Sequence, residues 1–325
     1  MTKKPGYAAA LLLVVVAAQP LPADQGSGSE TYRAWLPERP WVMVVDLPGF
    51  ALEFNGVRPD GRRYLFGKNE ASGVVFSALL EAAGAPATPE ECRRHQTERA
   101  ESRDFSKEDI QMSEEPGRTL LEYTIPVAGG FDLKQRNLFV CLPKDDVYID
   151  LHFSKVRYLP GDKKLFRAIL DTVRFADIGS FEYMALGSRF FLQRQYTKAI
   201  QPYEKALALE KQERQLEQNF WRVLVDNLGI AYGITGKLAE AKAVFEYGIS
   251  QEPDYPLFHY NLACAYAEMG DAENAQASLR AAFEHKDNMI PGEKMPDPRQ
   301  DPSFQPLMQK NPDFRRFLDS LMAGL

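Results

Sequence analysis

From Asn227 to Ala241 the chain reads N-L-G-I-A-Y-G-I-T-G-K-L-A-E-A, and 34 residues later, from Asn261 to Ala275, it reads N-L-A-C-A-Y-A-E-M-G-D-A-E-N-A. Asn, Leu, Ala, Tyr, Gly and the closing Ala recur in register. A fixed period of this length implies one supersecondary unit stacked on copies of itself, because a single unit cannot bury its own apolar face. An earlier copy begins near Phe181, with Gly187 lying 42 residues before Gly229. The extra residues fall in the polar run Lys211 to Gln218 and are expected to lengthen the second helix of that first copy.

Leu228, Gly229 and Tyr232, followed by Ala241, Phe245 and Pro253, reproduce the spacing of the tetratricopeptide repeat (TPR), and the region resembles that family. Tyr183, Leu186, Gly187, Phe190, Ala199, Tyr203 and Ala206 stand at matching places in repeat one. Leu262, Ala263, Tyr266, Ala275, Leu279 and Ala282 do so in repeat three. The resemblance implies paired helices, with Gly229 and Ala263 where the first helix meets the second. Two departures are visible. Arg194 replaces the glycine that Gly236 and Gly270 supply to the turn, which predicts a different turn in repeat one. Pro202 falls inside an expected helix, where a lost amide and a clash cost about 3 kcal/mol.

The resemblance also implies a binding surface: the concave face built from the first helix of each repeat. Asn227 and Asn261 occupy a position that in peptide-binding relatives hydrogen-bonds a bound backbone; the alternative is that they tie helices together. Phe191, Asp226, Tyr260 and Glu268 lie beside them as candidate protein-binding residues. Met184, Leu257 and Asn261 stand where the carboxylate-clamping variant has basic residues, which argues against capture of a chaperone tail. Cys264 is expected on the same face as a free thiol.

The rest of the chain has a different texture. Lys3 and Lys4 before an apolar Ala8 to Ala18, with small residues at Val16-Ala17-Ala18 and Leu21-Pro22-Ala23, read as an export signal over 1–23, too short to span a bilayer. The 24–40 stretch, with Gly26-Ser27-Gly28-Ser29 and two prolines, reads as a flexible linker. Residues 41–177 alternate short apolar runs with turn signals. Strands are predicted at Val42 to Val45, Phe50 to Phe54, Arg63 to Phe66, Gly73 to Leu80, Thr119 to Pro126, Asn137 to Leu142 and Val147 to Val156. Thr88-Pro89-Glu90-Glu91 starts a helix, and a second runs from Asp162 to Phe175 with Leu165, Phe166, Ile169, Leu170 and Val173 on one face. An antiparallel sheet with two helices makes an α+β domain, and the order of elements resembles the PsbP-like α/β/α sandwich. Three repeats at 178–290 and a helical cap at 291–325 complete the chain. The cap helices are expected to start at Asp301-Pro302 and Asn311-Pro312, the latter carrying Phe314, Phe317, Leu318 and Leu321 as its stripe.

Chemistry has few footholds. A net charge of −6 speaks against general affinity for nucleic acid or anionic membrane. Asp150, His152 and Ser154 alternate on one strand and share a face, but side chains two apart point outward in parallel and do not converge as a catalytic set must. Of the histidines, His95, His152, His259 and His285, no pair has the i, i+4 spacing of a helical metal site. No catalytic residue, metal site or cofactor is assigned. Cys92 and Cys141 form a disulfide if the fold brings a helix and a strand together, a distance the sequence leaves open.

The sequence therefore predicts an exported, non-catalytic scaffold or adaptor, periplasmic or secreted, that binds a protein or peptide partner through the repeat groove. A ligand-binding α+β domain with the repeats as a docking arm is the runner-up, and an enzyme using Asp150 and His152 comes third. Export is directly checkable. N-terminal sequencing of protein from its natural host should find a start near Gln19 or Asp24, and a start at Met1 or Thr2 would remove the signal.

Overall fold

The structure, a computed structural model, describes residues 31–323 apart from 38 and 103. The expected export signal and the first part of the expected linker lie outside the described residues. Two compact units divide between Asp177 and Ile178.

The first unit runs β1 (Thr31–Ala34), β2 (Trp41–Asp46), β3 (Ala51–Val57), β4 (Arg63–Asn69), β5 (Val74–Ala82), α1 (Pro89–Glu101), β6 (Glu108–Glu115), β7 (Arg118–Ala128), β8 (Phe131–Lys144), β9 (Val147–Lys155), α2 (Lys163–Leu170) and β10 (Arg174–Asp177). Seven strands form an antiparallel sheet in the order β3-β4-β5-β9-β8-β7-β6, and β1-β2-β10 form a second, smaller sheet. Period-2 alternation puts Leu65, Phe76, Ala78, Ile149, Leu151 and Phe153 on one face of the large sheet. There they share a core with Trp41, Met43 and Val45 of β2 and Phe166, Ile169 and Leu170 of α2. The opposite face carries α1. Thr88 caps that helix as its sequence requires, its hydroxyl accepting from the Glu91 amide at 3.3 Å. A Cys92–Cys141 disulfide with Cα atoms 5.5 Å apart then staples α1 to β8.

Three strands depart from expectation. The linker reading fails from Thr31 onward: β1 pairs with β2, Thr31 donates to Asp46 at 2.7 Å, and Tyr32 is buried. The second helix stops at Leu170, short of the expected Phe175. The Thr172 hydroxyl donates back to the Ile169 carbonyl at 2.7 Å and accepts from the Asp46 amide, which turns the chain into β10 against β2. Leu165, placed on the apolar stripe, is exposed, whereas Phe166, Ile169 and Leu170 are buried. β6, reading E-D-I-Q-M-S-E-E, is an exposed edge strand with no apolar alternation, formed by pairing with β7 across the turn at Gly117.

The second unit contains α3 (Ser180–Leu192), α4 (Tyr196–Gln212), α5 (Gln218–Ile234), α6 (Leu238–Gln251), α7 (Pro256–Met269), α8 (Ala272–Glu284), α9 (Gln305–Lys310) and α10 (Pro312–Ala323). The first six are three consecutive helix pairs. The extra residues of repeat one do not all lengthen α4. They are shared with the start of α5, so both helices have 17 residues where α6 and α7 have 14. The junction is held by Glu252, which accepts from Arg214, from Gln218 at 3.2 Å and from Arg222 at 2.6 Å.

The turn inside repeat one is the same as in the others, contrary to expectation. Arg194 adopts φ +58°, beside +81° at Gly236 and +82° at Gly270. In each repeat the amide at this position and the next one reach back to close the helix: Arg194 to Phe191 and Gln195 to Phe190, Gly236 to Gly233 and Lys237 to Tyr232, Gly270 to Ala267 and Asp271 to Tyr266. Holding a non-glycine residue there costs about 1–2 kcal/mol, which the stacked pair imposes on Arg194. Likewise α4 continues through the buried Pro202, flanked by Ala199, Tyr203 and Ala206 in the core. In the cap, Asn311 accepts from the Asp313 and Phe314 amides and starts α10 as expected. Asp301 caps a turn instead, and α9 begins four residues later at Gln305.

Close approach sets the pairing. A Cβ placed on Gly229 would sit 2.3 Å from the ring of Phe245, and one on Gly187 would sit 2.5 Å from the ring of Tyr203. Repeat three makes the opposite choice, with Ala263 in the small position and Leu279 at the place of those rings, both fully buried. Gly229→Leu should therefore lower the unfolding free energy, measured by urea titration, by about 1–3 kcal/mol. Gly229→Ala should be rescued in part by Phe245→Leu, which recreates the pair of repeat three. Strictly additive costs in the double variant would show that the two positions do not set one another's size.

Candidate functional site

On the inner face of repeats two and three, Asp226-Asn227 on α5 and Tyr260-Asn261 on α7 occupy equivalent places one repeat apart. Asn227 donates to the hydroxyl of Tyr203 at 3.2 Å, and Asn261 donates to the Asp226 carboxylate at 2.5 Å. Each asparagine thus ties its first helix to the preceding repeat. Of the two roles the sequence allowed, the structural tie is the one realised, and it takes an amide hydrogen that a bound backbone would need.

The other candidates divide. Phe191 is buried, edge-on to Tyr196 at 5.2 Å, and offers no surface. Tyr260 is only 2% exposed, which corrects its place among the candidate protein-binding residues. Glu268 is half-buried and its Oε1 is enclosed without a hydrogen-bond partner. Leu257 and Cys264 are buried, and Cys264 is free of any disulfide.

What covers this face is the chain's own segment between α8 and α9. Asn288 donates to the Asp254 carbonyl at 3.2 Å, and Ile290 is buried in the core of the repeats. The Tyr255 hydroxyl, at the start of α7, donates to the Glu293 carboxylate at 3.0 Å. Further along the same helix, the Tyr260 hydroxyl donates to Asp301 at 3.1 Å, with the Cys264 sulfur 3.9 Å from the same oxygen. Phe304 then packs edge-on against Tyr260 and joins Phe314 of the cap. Residues 289–301 therefore lie along α7 as a strap. Its sequence signal was the run of prolines at 291, 296, 298 and 302, which excludes a regular helix but does not say where the segment docks.

The electrostatics beneath the strap are one-sided. Burial pushes the Asp226 carboxyl up to about 8, the Asn261 hydrogen bond opposes the rise, and neighbouring Glu293 adds to it. Burial also raises Glu293 and Asp301; Glu268 is raised by burial and by Asp301 next to it. Arg222 on α5 is the cation that partly offsets this, over the Tyr255 ring at 4.5 Å.

In the first unit, Asp150, His152 and Ser154 do share a face, and each has a separate task. Asp150 is bridged by Arg99 of α1 at 2.5 and 3.1 Å. His152 stacks on Phe139 with centroids 4.0 Å apart, and its Nε2 meets the side-chain Oδ1 of Asn137 at 3.1 Å. Burial, then the nearby Arg99, hold its imidazole down to about 3, so the ring is neutral. Ser154 is buried opposite Asn137. Asp150 thus ties α1 to the sheet, while His152 and Ser154 pack against β8, and the three do not converge. His259 meets the Pro253 carbonyl at 2.7 Å, closing the entry to α7. Among the described residues no group of three or more His, Cys, Asp or Glu is placed to hold a metal ion, and no helix is long and apolar enough to cross a membrane.

Residues 235–288 match the family model of the tetratricopeptide repeat. The C-terminal unit contains tetratricopeptide repeats. TPR proteins are in general protein-interaction scaffolds. The chain is 25% identical over 278 residues to the intraflagellar transport protein 88 homolog of Homo sapiens, covering 80% of this chain and 32% of that one. It thus spans about a third of the length of that relative. Among solved structures, the Sgt2 TPR domain of Aspergillus fumigatus matches at 19% identity and a TM-score of 0.32, over 42% of this chain and 82% of that one. The cyanobacterial PsbP of Synechocystis matches at 15% identity and a TM-score of 0.32, over 47% and 95%.

The raised carboxyls of the TPR inner face have a measurable consequence. A carboxyl that ionises at higher pH in the folded chain than in the unfolded one makes stability fall as pH rises, here from about 4 to about 8. Asp226→Asn keeps an acceptor for Asn261 and removes the charge. Allowing for the part of the residue that stays at the surface, it should gain about 1–2 kcal/mol relative to the parent at pH 9 and little at pH 4. Melting curves across that range with parallel declines for parent and variant would assign the pH effect to other groups.

Proposed function

We propose that this chain is an exported, non-catalytic scaffold whose repeats hold a protein or peptide partner, working in a periplasmic or extracellular space. The observation that carries the reading is the stack of three helix pairs with the spacing and close packing of tetratricopeptide repeats. Two further features support it. Asp150 and His152 are occupied with structural partners, so the sheet unit assembles no reacting constellation from them. The Cys92–Cys141 bridge fits a chain that matures in an oxidising compartment, as the apolar N-terminal run also suggests.

Site-directed photo-crosslinking in the native host tests this. A photoreactive residue at Phe181, Leu192 or Ile234, on first helices of the repeats, should yield discrete partner adducts. The same residue at Phe54 or Phe131 of the sheet unit should yield few. Adducts confined to the sheet positions would transfer the binding role to the first unit.

A further inference from the structure

The two most exposed large apolar side chains among the described residues, Phe131 at 73% and Leu159 at 66%, stand at one end of the first unit, with the half-exposed Val127 and Val156. They belong to two connections, 127–134 and 156–164, that are tied through the backbone. The Arg157 amide donates to the Leu133 carbonyl at 2.8 Å, and the Tyr158 amide to the Lys134 carbonyl at 3.1 Å. Gly129 and Gly130, at φ +58° and +82°, close the β7–β8 hairpin in the tight turn that twisted strands favour. That hairpin outruns its neighbours. β6 begins opposite Thr124 and β9 ends opposite Arg136, while β7 and β8 stay paired as far as Ala128 and Phe131. The projection is on the order of 10 Å. Asp177, the last residue of the unit, lies at the other end, paired with Trp41 beside the β8–β9 turn.

We propose that this end docks on a lipid bilayer, with Phe131 and Leu159 entering the boundary between headgroups and acyl chains and Arg157 and Lys164 meeting lipid phosphates. The shape favours a bilayer over a protein. The apolar side chains sit on projecting tips, and the two connections together offer fewer than the roughly 20–30 residues that a stable protein interface uses on each side. A bilayer needs no matching contour, and apolar and aromatic side chains settle at its interface. Entry also leaves few backbone groups unpaired, which is the main cost of bringing polypeptide into an apolar layer. The hairpin ladder satisfies its own strands, and the Leu159 amide is taken by the Asp162 carboxylate at 2.8 Å.

Charge points the same way. The net charge of −6 opposes adhesion of the whole molecular surface to an anionic bilayer, and this end is an exception. The two connections hold Lys134, Arg157, Lys163 and Lys164 against two acids, Asp132 and Asp162. Asp132 is met by Lys134 at 3.6 Å and Asp162 by Lys155 at 3.1 Å, while Lys163 lies 3.4 Å from Glu122 of β7. Arg157 and Lys164 are exposed, and no ion pair engages either among the described residues. Two copies of the chain meeting tip to tip would bring these cations together, which disfavours a second copy as the occupant. Acids bound the contact on its flanks. Asp104, Glu108 and Asp109 surround Phe105 on the α1–β6 connection, and Glu70 lies on the β4–β5 turn, so Phe105 stays outside the contact.

Co-sedimentation of the full chain with vesicles of phosphatidylcholine, with and without phosphatidylglycerol, tests this. The parent should bind the mixed vesicles. Phe131→Ser with Leu159→Ser should weaken that binding by about tenfold or more, the loss of two inserted apolar side chains. Arg157→Gln with Lys164→Gln should weaken it about tenfold on mixed vesicles and leave phosphatidylcholine vesicles unaffected. Phe54→Ser with Val57→Ser, the same kind of change on exposed residues of β3, should leave binding intact. Phe131→Trp supplies a readout that keeps an aromatic ring at the tip: its emission should shift to the blue on vesicles and be quenched by brominated lipid. The proposal is overturned if the parent stays in solution, if the β3 pair costs as much as the tip pair, or if the emission neither shifts nor quenches. Discrete protein adducts, in place of lipid adducts, from a photoreactive residue at the position of Phe131 would also overturn it and give this end to a protein partner. None of these measurements depends on the repeats, so the scaffold reading stands or falls separately.

Discussion

The C-terminal unit depends on how closely the two helices of each repeat approach. At Gly187 and Gly229 there is no room for a methyl group, because an aromatic ring from the partner helix already fills that space. At Ala263 the ring is replaced by Leu279 and a methyl group fits. The sum of the two side chains is kept while its division changes, which is what close packing at near-crystalline density demands. Once that distance is set, the reversal between helices is set too. Arg194 is held in a left-handed conformation that glycine adopts freely in the other two repeats.

The same geometry explains why the inner face is polar yet closed. Asn227 and Asn261 reach back to Tyr203 and Asp226, so successive repeats are joined by hydrogen bonds as well as by apolar contact. That arrangement places a carboxylate, Asp226, where water is scarce. The strap adds Glu293 and Asp301 to it, and tyrosine hydroxyls supply donors without supplying charge. Unpaired buried acids are costly unless they stay protonated.

The first unit is built on a different constraint. A seven-stranded antiparallel sheet has two faces to cover: the large core cluster with β2 and α2 covers one, and a smaller cluster of Leu121, Tyr123 and Ile125 with Ala100 of α1 lies on the other. On the other, α1 is fixed by a disulfide to β8, an Arg99–Asp150 bridge to β9, and the Arg99 guanidinium 4.1 Å over the Phe139 ring. Of the polar side chains along β9, Asp150 helps to hold this helix in place, while His152 packs on Phe139 and Asn137 of β8.

Whatever rests on local pattern was legible in the sequence. The 34-residue period, the alternation of β4, β5, β7 and β9, the Thr88 and Asn311 caps and the small residues at helix crossings all follow from spacing and residue size, which neighbours along the chain express. Elements that exist only because another segment offers a partner were not legible. β1, β6 and β10 lack a pattern of their own and form by pairing with β2 or β7, and Tyr260 looked like a free aromatic until a segment some forty residues later lay over it. The Cys92–Cys141 pairing and the raised Asp226 carboxyl belong to the same class. Distance through space and local desolvation are set by the packed chain, and no spacing along the sequence encodes either one.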